Sequence, residues 1–463
     1  MTRGYAGSGS RPALTWMAGG AVVLVLGQVW LRYATAGLTH QTATTLWAVA
    51  PLVLGLGGMT GLFLIAATRL GRVDATRGAV AMVLVAGLAM RLVWLGAPAP
   101  LEDDYKRYLW DGAVVAHGLD PYRHPPATFG AGRQVPAGYE AVAAAGQETA
   151  RAANFPELRT IYPSVAQAAF ALAHILAPFD VDGLRAVFIA AELTGAMAAM
   201  AVLGALGASP LWAALYWCNP TMVYTLVAIA HVDALLPVLV LGALLASMRG
   251  RTMVAAGLIA AGAGVKIWPL LLAPLVLWRA RHQPMRMLAA ASVLAAALAV
   301  ATGPLLLSAL EPASGLAAYS AHWSNNNAIY AWTAWGTNAL FGETGQRGLR
   351  LFLALTAGGI AVWLALRDDR TARGLAGSFL AIAALTFYLS PAEFPWYTAW
   401  FLPLAAVVRN WPLLLASALI PVYYLFFPLW AAQQGDLFFF GVGFLHALPV
   451  LGWLAFERQR ERT

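Results

Sequence analysis

The chain has 463 residues, of which 60% are hydrophobic and 11% charged, with a mean hydropathy of +0.67 and a net charge of +8. Soluble domains carry about 25% charged residues, so a soluble fold is excluded, and the recurring apolar runs match the ~20 residues of a spanning helix rather than the ~10-residue alternation of a membrane barrel. The positive charge does not indicate nucleic acid, because the arginines sit mostly in short loops between apolar runs, where such charges orient helices.

The expected fold is therefore all-α: a polytopic transmembrane bundle of about 11–14 spans, some broken or re-entrant. A first run, 13–31, follows Arg3 and Arg11. Ala34-Thr35-Ala36 resembles a signal-peptidase site, but the run exceeds the ~7–15 residues of a signal core and reads as an uncleaved span. Spans at 46–68 and 78–96 complete an N-terminal part, 1–96. Basic loops at 69–77, 249–251, 279–286 and 367–373 and the tail 458–462 mark the cytoplasmic side. This pattern places both termini in the cytoplasm. Loop 97–160, the segment 308–346 and the turn 391–395 then lie outside.

Loop 97–160 opens with Leu101-Glu102-Asp103-Asp104-Tyr105-Lys106-Arg107-Tyr108-Leu109-Trp110-Asp111-Gly112. At 100° per residue Tyr105, Leu109, Ala113 and Ala116 share one face, and Asp103, Asp104, Arg107 and Asp111 the other. This is the pattern of an amphipathic helix on the membrane surface, ended by Gly118 and Pro121. Its acids are either a solvated face braced by Glu102–Lys106 and Asp103–Arg107 pairs, or carboxylates made basic by the nearby bilayer. Asp103, Asp104 and Asp111 are the candidate bases, with Asp103 ranked first. Arg107, Arg123 and His124 could meet a phosphate, or the last two could be solvated loop residues.

A second bundle, 161–463, runs to the end; five apolar runs lie between the basic loops at 69–77 and 249–251 where parity needs an even number, so one of them must be broken, re-entrant or interfacial. Asn219-Pro220 makes 210–230 the suspect. The run 253–278 is about 39 Å of helix at ~1.5 Å per residue, too short for two crossings of a ~30 Å core. A re-entrant hairpin with Lys266 near its tip fits it better. Only two of the 29 lysines and arginines are lysines, Lys106 and Lys266, and a lysine within an apolar run is a candidate partner for a lipid phosphate unless it snorkels to the interface. His231 and Asp233 could line a polar cavity or simply satisfy one another and the backbone. The segment 319–338 mixes aromatics and amides, including His322 and Asn325, as a sugar site or an aromatic belt does. Glu393, Trp396 and Tyr397 fall on the same side. The single cysteine, Cys218, excludes disulfides and cysteine metal sites. No metal ligands stand at helical spacing. No cofactor is implied, and dependence on a divalent ion is not decided by the sequence.

Asp103-Asp104-Tyr105, Arg107-Tyr108-Leu109-Trp110-Asp111-Gly112, Gly118 and Pro121-Tyr122 resemble the first external loop of bacterial GT-C glycosyltransferases. Ile161-Tyr162-Pro163, Asn219-Pro220, His231-Val232-Asp233, Lys266 before Pro269 and Pro395-Trp396-Tyr397 follow in the same order over about residues 78–405. Two spans precede the helix leading into the loop, where many members have none. The resemblance implies a multi-span enzyme, often a mannosyltransferase, that takes a sugar from a polyprenyl-phosphate donor with inversion. It implies Asp103 or Asp104 as the base and Lys266 and arginines at the donor phosphate; with the matched Tyr108, Tyr162, His231, Asp233, Trp396 and Tyr397, the residues His322, Asn325 and Glu393 read above from the outer segments make up the expected substrate site. The acceptor would be a glycan or glycolipid outside the cell membrane. The rival expectation is a transporter, flippase or polymerase of lipid-linked sugars. Transporters gather polar residues at mid-membrane, whereas 8 of the 21 acids here lie in loop 97–160.

Overall fold

A computed structural model describes residues 10–130, 132–311, 314–327 and 329–460. Helices form 76% of it, with no strand among the described residues. Eight of those helices are long and apolar enough to cross a bilayer: Leu14–Ala34, Leu46–Arg72, Val181–Ala205, Pro284–Ser308, Thr344–Leu366, Ala372–Leu389, Trp411–Ala431 and Gly435–Arg460. Shorter apolar helices, Ser164–Leu176, Thr252–Ala263 and Trp268–Arg279, complete the bundle with a ninth, bent span. The expected span at 78–96 is a helix of 16 residues, Arg77–Leu92. The apolar run 396–408 divides into Pro395–Trp400 and Leu402–Val408.

The bent span sits where Asn219-Pro220 breaks the chain. Proline has no N–H to give a preceding turn, and the Asn219 side chain caps the new helix by accepting from the N–H groups of Thr221 and Met222 at 3.0 and 3.3 Å. Pro220–Ala228 and Val232–Met248 then meet at 112°. Residues 211–237 are all buried, so this irregular backbone is lined by protein rather than lipid, the condition under which a membrane tolerates it. Arg185 satisfies the loose end by donating to the carbonyls of Val227, Ala228 and Ala97 at 3.0, 2.6 and 2.6 Å. The run 253–278 also divides, with Lys266 in the break between two helices that pack on each other.

One ion pair is wholly buried between the helices Arg77–Leu92 and Val181–Ala205. Arg91 grips both carboxylate oxygens of Glu192 at 2.8 and 3.0 Å and stacks 3.6 Å from the Trp217 ring centre. Its remaining donors reach the carbonyls of Gly87 and Trp217. Such a pair holds two helices in register. Losing one partner costs about 3–5 kcal/mol, because the other is left charged and dry.

Loop 97–160 is a small folded unit. It holds the helices Asp104–Ala116 and Glu140–Ala152 and a turn of 3-10 helix at Pro126–Phe129. They share a core of Trp110, Val114, Phe129, Tyr139 and Val142. The surface-lying amphipathic helix expected for Asp104–Ala116 is corrected here: Arg107 through Val114 are buried on every side. Ser164–Leu176 packs on one face so closely that Gly112 leaves no room for a β-carbon against the Phe170 carbonyl. The other face is roofed by the chain at 154–163. Arg107 holds that roof down by donating to the carbonyls of Asn154, Phe155 and Leu158 at 2.7, 2.7 and 3.1 Å. Neither expected pair, Glu102–Lys106 or Asp103–Arg107, forms among the described residues; for Arg107, three carbonyls outcompete one half-buried carboxylate for the guanidinium.

Candidate functional site

A cavity of about 520 Å³ lies where the start of Asp104–Ala116 meets the two broken spans. Two turns aim residues into it. Leu101, at φ +67°, swings the chain from the membrane into Glu102-Asp103-Asp104, and Ala230, at φ +52°, turns the bent span to present His231. Left-handed backbone is disfavoured for residues with a β-carbon, and such positions concentrate at functional sites.

Asp104 Oδ1 accepts from the Asn154 amide at 3.1 Å, and Oδ2 lies 3.3 Å from His231 Nε2. The same His231 nitrogen is 3.2 Å from the Tyr108 hydroxyl, which accepts from the Tyr162 hydroxyl at 3.3 Å. The other ring nitrogen, Nδ1, lies 2.6 Å from Asp233 Oδ2, an ion-pair contact set off the line of its N–H. Lys266 Nζ is 2.9 Å from that same oxygen and 3.8 Å from the Tyr397 ring centre. Trp400 Nε1 donates to Asp233 Oδ1 at 2.6 Å. Trp396 stacks on the His231 ring at 4.4 Å. Four groups thus form a contiguous chain beside the cavity: Asp104, His231, Asp233, Lys266.

The three consecutive acids have different electrostatics. Burial pushes Glu102 well above the usual carboxyl range, and the charges of Asp104 and Asp103 add to it against a hydrogen bond from Tyr423. Burial and Asp104 also raise Asp103, with His40 and Lys106 pulling the other way. Burial acts on Asp104 too. There the hydrogen bond and charge of His231, helped by Asn154 and Lys266, outweigh it and hold Asp104 below the usual range. Environments that push neighbouring carboxyls apart mark out acid and base roles, and Asp104 is the one kept ionised.

The cavity is lined by Asp103, Asp104, Arg107, Tyr162, His231, Lys266, Asn325, Trp396 and Tyr397 among the residues singled out in the sequence. Tyr108 and Asp233 stand directly behind His231. Other candidates lie elsewhere. Asp111 is buried below the cavity, accepting from Gln167 at 3.2 Å, because one helical face at seven-residue spacing carries it about 10.5 Å along the axis from Asp104. Arg123 and His124 do not line the cavity, and His124 packs edge-on to Phe129 and Tyr139 in the loop's own core. Glu393 is buried against His446 at 3.2 Å, since the turn around it is pinned by backbone pairing of Asn325 with Pro391 and Glu393. The His322 side chain lies outside the described residues. Arg107 reaches the wall, but with its terminal nitrogens already on three carbonyls.

Polar lining residues not singled out in the sequence include His40, Asn154, Arg159, Tyr319 and Tyr423. Arg159 is the most consequential, for it pairs with Glu311 while its buried Nε has no hydrogen-bond partner. Only its place two residues before Ile161-Tyr162-Pro163 could have drawn notice. Tyr319 meets Tyr397 through their hydroxyls at 3.0 Å, from within the aromatic segment already noted. Among the described residues no group of three or more His, Cys, Asp or Glu could hold a metal ion.

Fold and site together define a multi-pass helical membrane protein with a charged, aromatic-walled cavity at the edge of its bundle. No family model matches the chain, and no curated protein matches it either.

Proposed function

We propose that this chain is a glycosyltransferase of the cell membrane that moves a sugar from a polyprenyl-phosphate donor to a hydroxyl of a glycan or glycolipid outside. In this reading both termini are cytoplasmic, loop 97–160 is external, and Asp104 is the general base. The observation that carries it is the meeting, in one cavity, of an ionised carboxylate with two cations, Lys266 and Arg159, and an aromatic wall. The order of motifs shared with GT-C enzymes supports the same reading.

Asp104 takes the acceptor proton as the acceptor oxygen bonds to the anomeric carbon, and the bond from that carbon to the phosphate breaks on the opposite face. The lipid phosphate leaves with an added charge that Lys266 and the free Nε of Arg159 are placed to receive. Preorganised cations aimed at developing charge are the larger part of such catalysis. Trp396, Tyr397 and Tyr319 offer ring faces and hydroxyls to a sugar. Ile267, Leu305, Leu316 and Phe427 offer an apolar wall to a prenyl chain.

The test is single turnover with purified protein and a polyprenyl-phosphate sugar, mannose first. Asp104→Asn is expected to keep donor binding and lose turnover ~10²–10⁴-fold, the usual general-base contribution. Transfer by Asp104→Asn at the wild-type rate sinks the assignment. A flippase has one observation in its favour, the broken spans that transporters also use. It wins if wild type moves the lipid across vesicles and never cleaves it.

A further inference from the structure

Resting on that reading, we infer that the proton taken from the acceptor does not stay on Asp104 but passes to Nε2 of His231, which makes His231 a catalytic residue rather than a wall of the cavity. The geometry gives the two ring nitrogens different neighbours. Asp233 is acceptor-only when ionised, and its Oδ2 lies 2.6 Å from Nδ1, so a resting proton on Nδ1 avoids setting a lone pair against that carboxylate and leaves Nε2 as the nitrogen that faces Asp104 and Tyr108. A carboxylate behind the ring both fixes the tautomer and steadies the imidazolium that forms. Asp233 in turn has no need of a proton, since Lys266 and Trp400 already satisfy it at 2.9 and 2.6 Å.

Counting charge explains why the transfer is favourable. With a neutral ring, Asp104, Asp233 and Lys266 sum to −1; a proton on Nε2 balances the four groups to zero. Asp104 itself is a poor resting place, because the Asn154 amide at 3.1 Å and the charge of Lys266 both favour its ionised form. Tyr108 serves as the gate. Its hydroxyl accepts from Tyr162 and is left to donate to the empty Nε2; when Nε2 is protonated that N–H turns instead to Asp104 at 3.3 Å. In the full step the acceptor O–H proton goes to Asp104 Oδ2 and then to His231 Nε2. The acceptor oxygen bonds to the anomeric carbon, and the carbon–phosphate oxygen bond breaks with its electron pair on the phosphate. The imidazolium returns its proton to solvent or to the departing phosphate.

The groups facing His231 are Asp104 and Tyr108 from the loop helix, Asp233 from its own span, and Trp396, stacked on the ring from the outer turn; Lys266, from the hairpin, reaches it through Asp233. The experiment compares single-turnover transfer by wild type, His231→Ala, His231→Gln and Asp104→Asn, with added imidazoles of graded basicity. His231→Gln nearly preserves volume and polarity, so it controls for a packing defect under Trp396. The expected result is a ~10²-fold or greater loss in both His231 variants with donor binding kept. Imidazole is expected to restore His231→Ala but not Asp104→Asn, more strongly the more basic the imidazole. Wild-type turnover in His231→Gln, or rescue indifferent to basicity, overturns the relay while leaving Asp104 as base. A wild type that never transfers sugar overturns both readings together.

Discussion

Replacing Gly112 by alanine is a small change with a large expected effect. A β-carbon there would lie 2.3 Å from the Phe170 carbonyl oxygen and 2.6 Å from its carbon. Ordinary van der Waals contact needs about 3.4 Å or more, so the helix Asp104–Ala116 must retreat from Ser164–Leu176 by about 1 Å. The obstacle is backbone, and no side chain can swing aside. Overpacking of this kind costs about 1–3 kcal/mol. The functional effect is sharper, since the same helix carries Asp104, and a displacement of ~1 Å at reacting groups costs about 10²-fold. Gly112→Ala should therefore lower the unfolding temperature in detergent modestly and the transfer rate about a hundredfold, with donor binding kept. An alanine variant as stable and as fast as wild type would refute the claim that this contact positions the base.

Lys266→Met should bind donor poorly and leave Asp233 without its cation, while Lys266→Arg should keep part of the activity, because charge survives but geometry changes; full activity in the methionine variant removes Lys266 from the phosphate site. Asp111 bears on pH: burial raises its carboxyl, with Arg107, Thr160 and Gln167 opposing. A carboxyl raised on folding contributes stability below its ordinary value and loses that contribution as pH rises through the raised one. Asp111→Asn should accordingly melt higher than wild type at pH 8 and lose the advantage toward pH 4; the opposite trend would show that Asp111 is ionised and stabilising. Ala144→Cys, exposed on Glu140–Ala152, in a chain lacking Cys218 should react with an impermeant thiol reagent in intact spheroplasts. Labelling only after lysis places the loop, and the proposed chemistry, on the wrong side.

The spans were legible because apolar runs of bilayer length have few other fates. The breaks at Asn219-Pro220 and around Lys266 were legible too, since proline and a buried cation announce themselves locally. The faces of Asp104–Ala116 were read less well. A helical wheel assigns angle but not height, so Asp111 shares the face of Asp104 while lying about two turns further along the axis. Asp103 precedes the first helical residue, and the wheel never applied to it. The roof at 154–163, Arg159 and His40 reach the cavity through tertiary packing alone. Nothing in their local sequence signals that approach.

The site also has a history imposed by synthesis. Asp104 and His231 are drawn together by chain that includes Trp396 and Trp400, roughly 300 residues after the loop helix. At ~5–20 residues per second the ribosome needs on the order of 15–60 s to cover that distance. During this interval Asp233 is without its indole donor and His231 without its stacking partner. A nascent chain in that state holds its polar residues in a half-built bundle, exposed to neighbouring lipid and to membrane proteases. Substitutions at Trp396 or Trp400 should then appear first as lost protein, through degradation of chains that never close the cavity, before any loss of turnover per molecule.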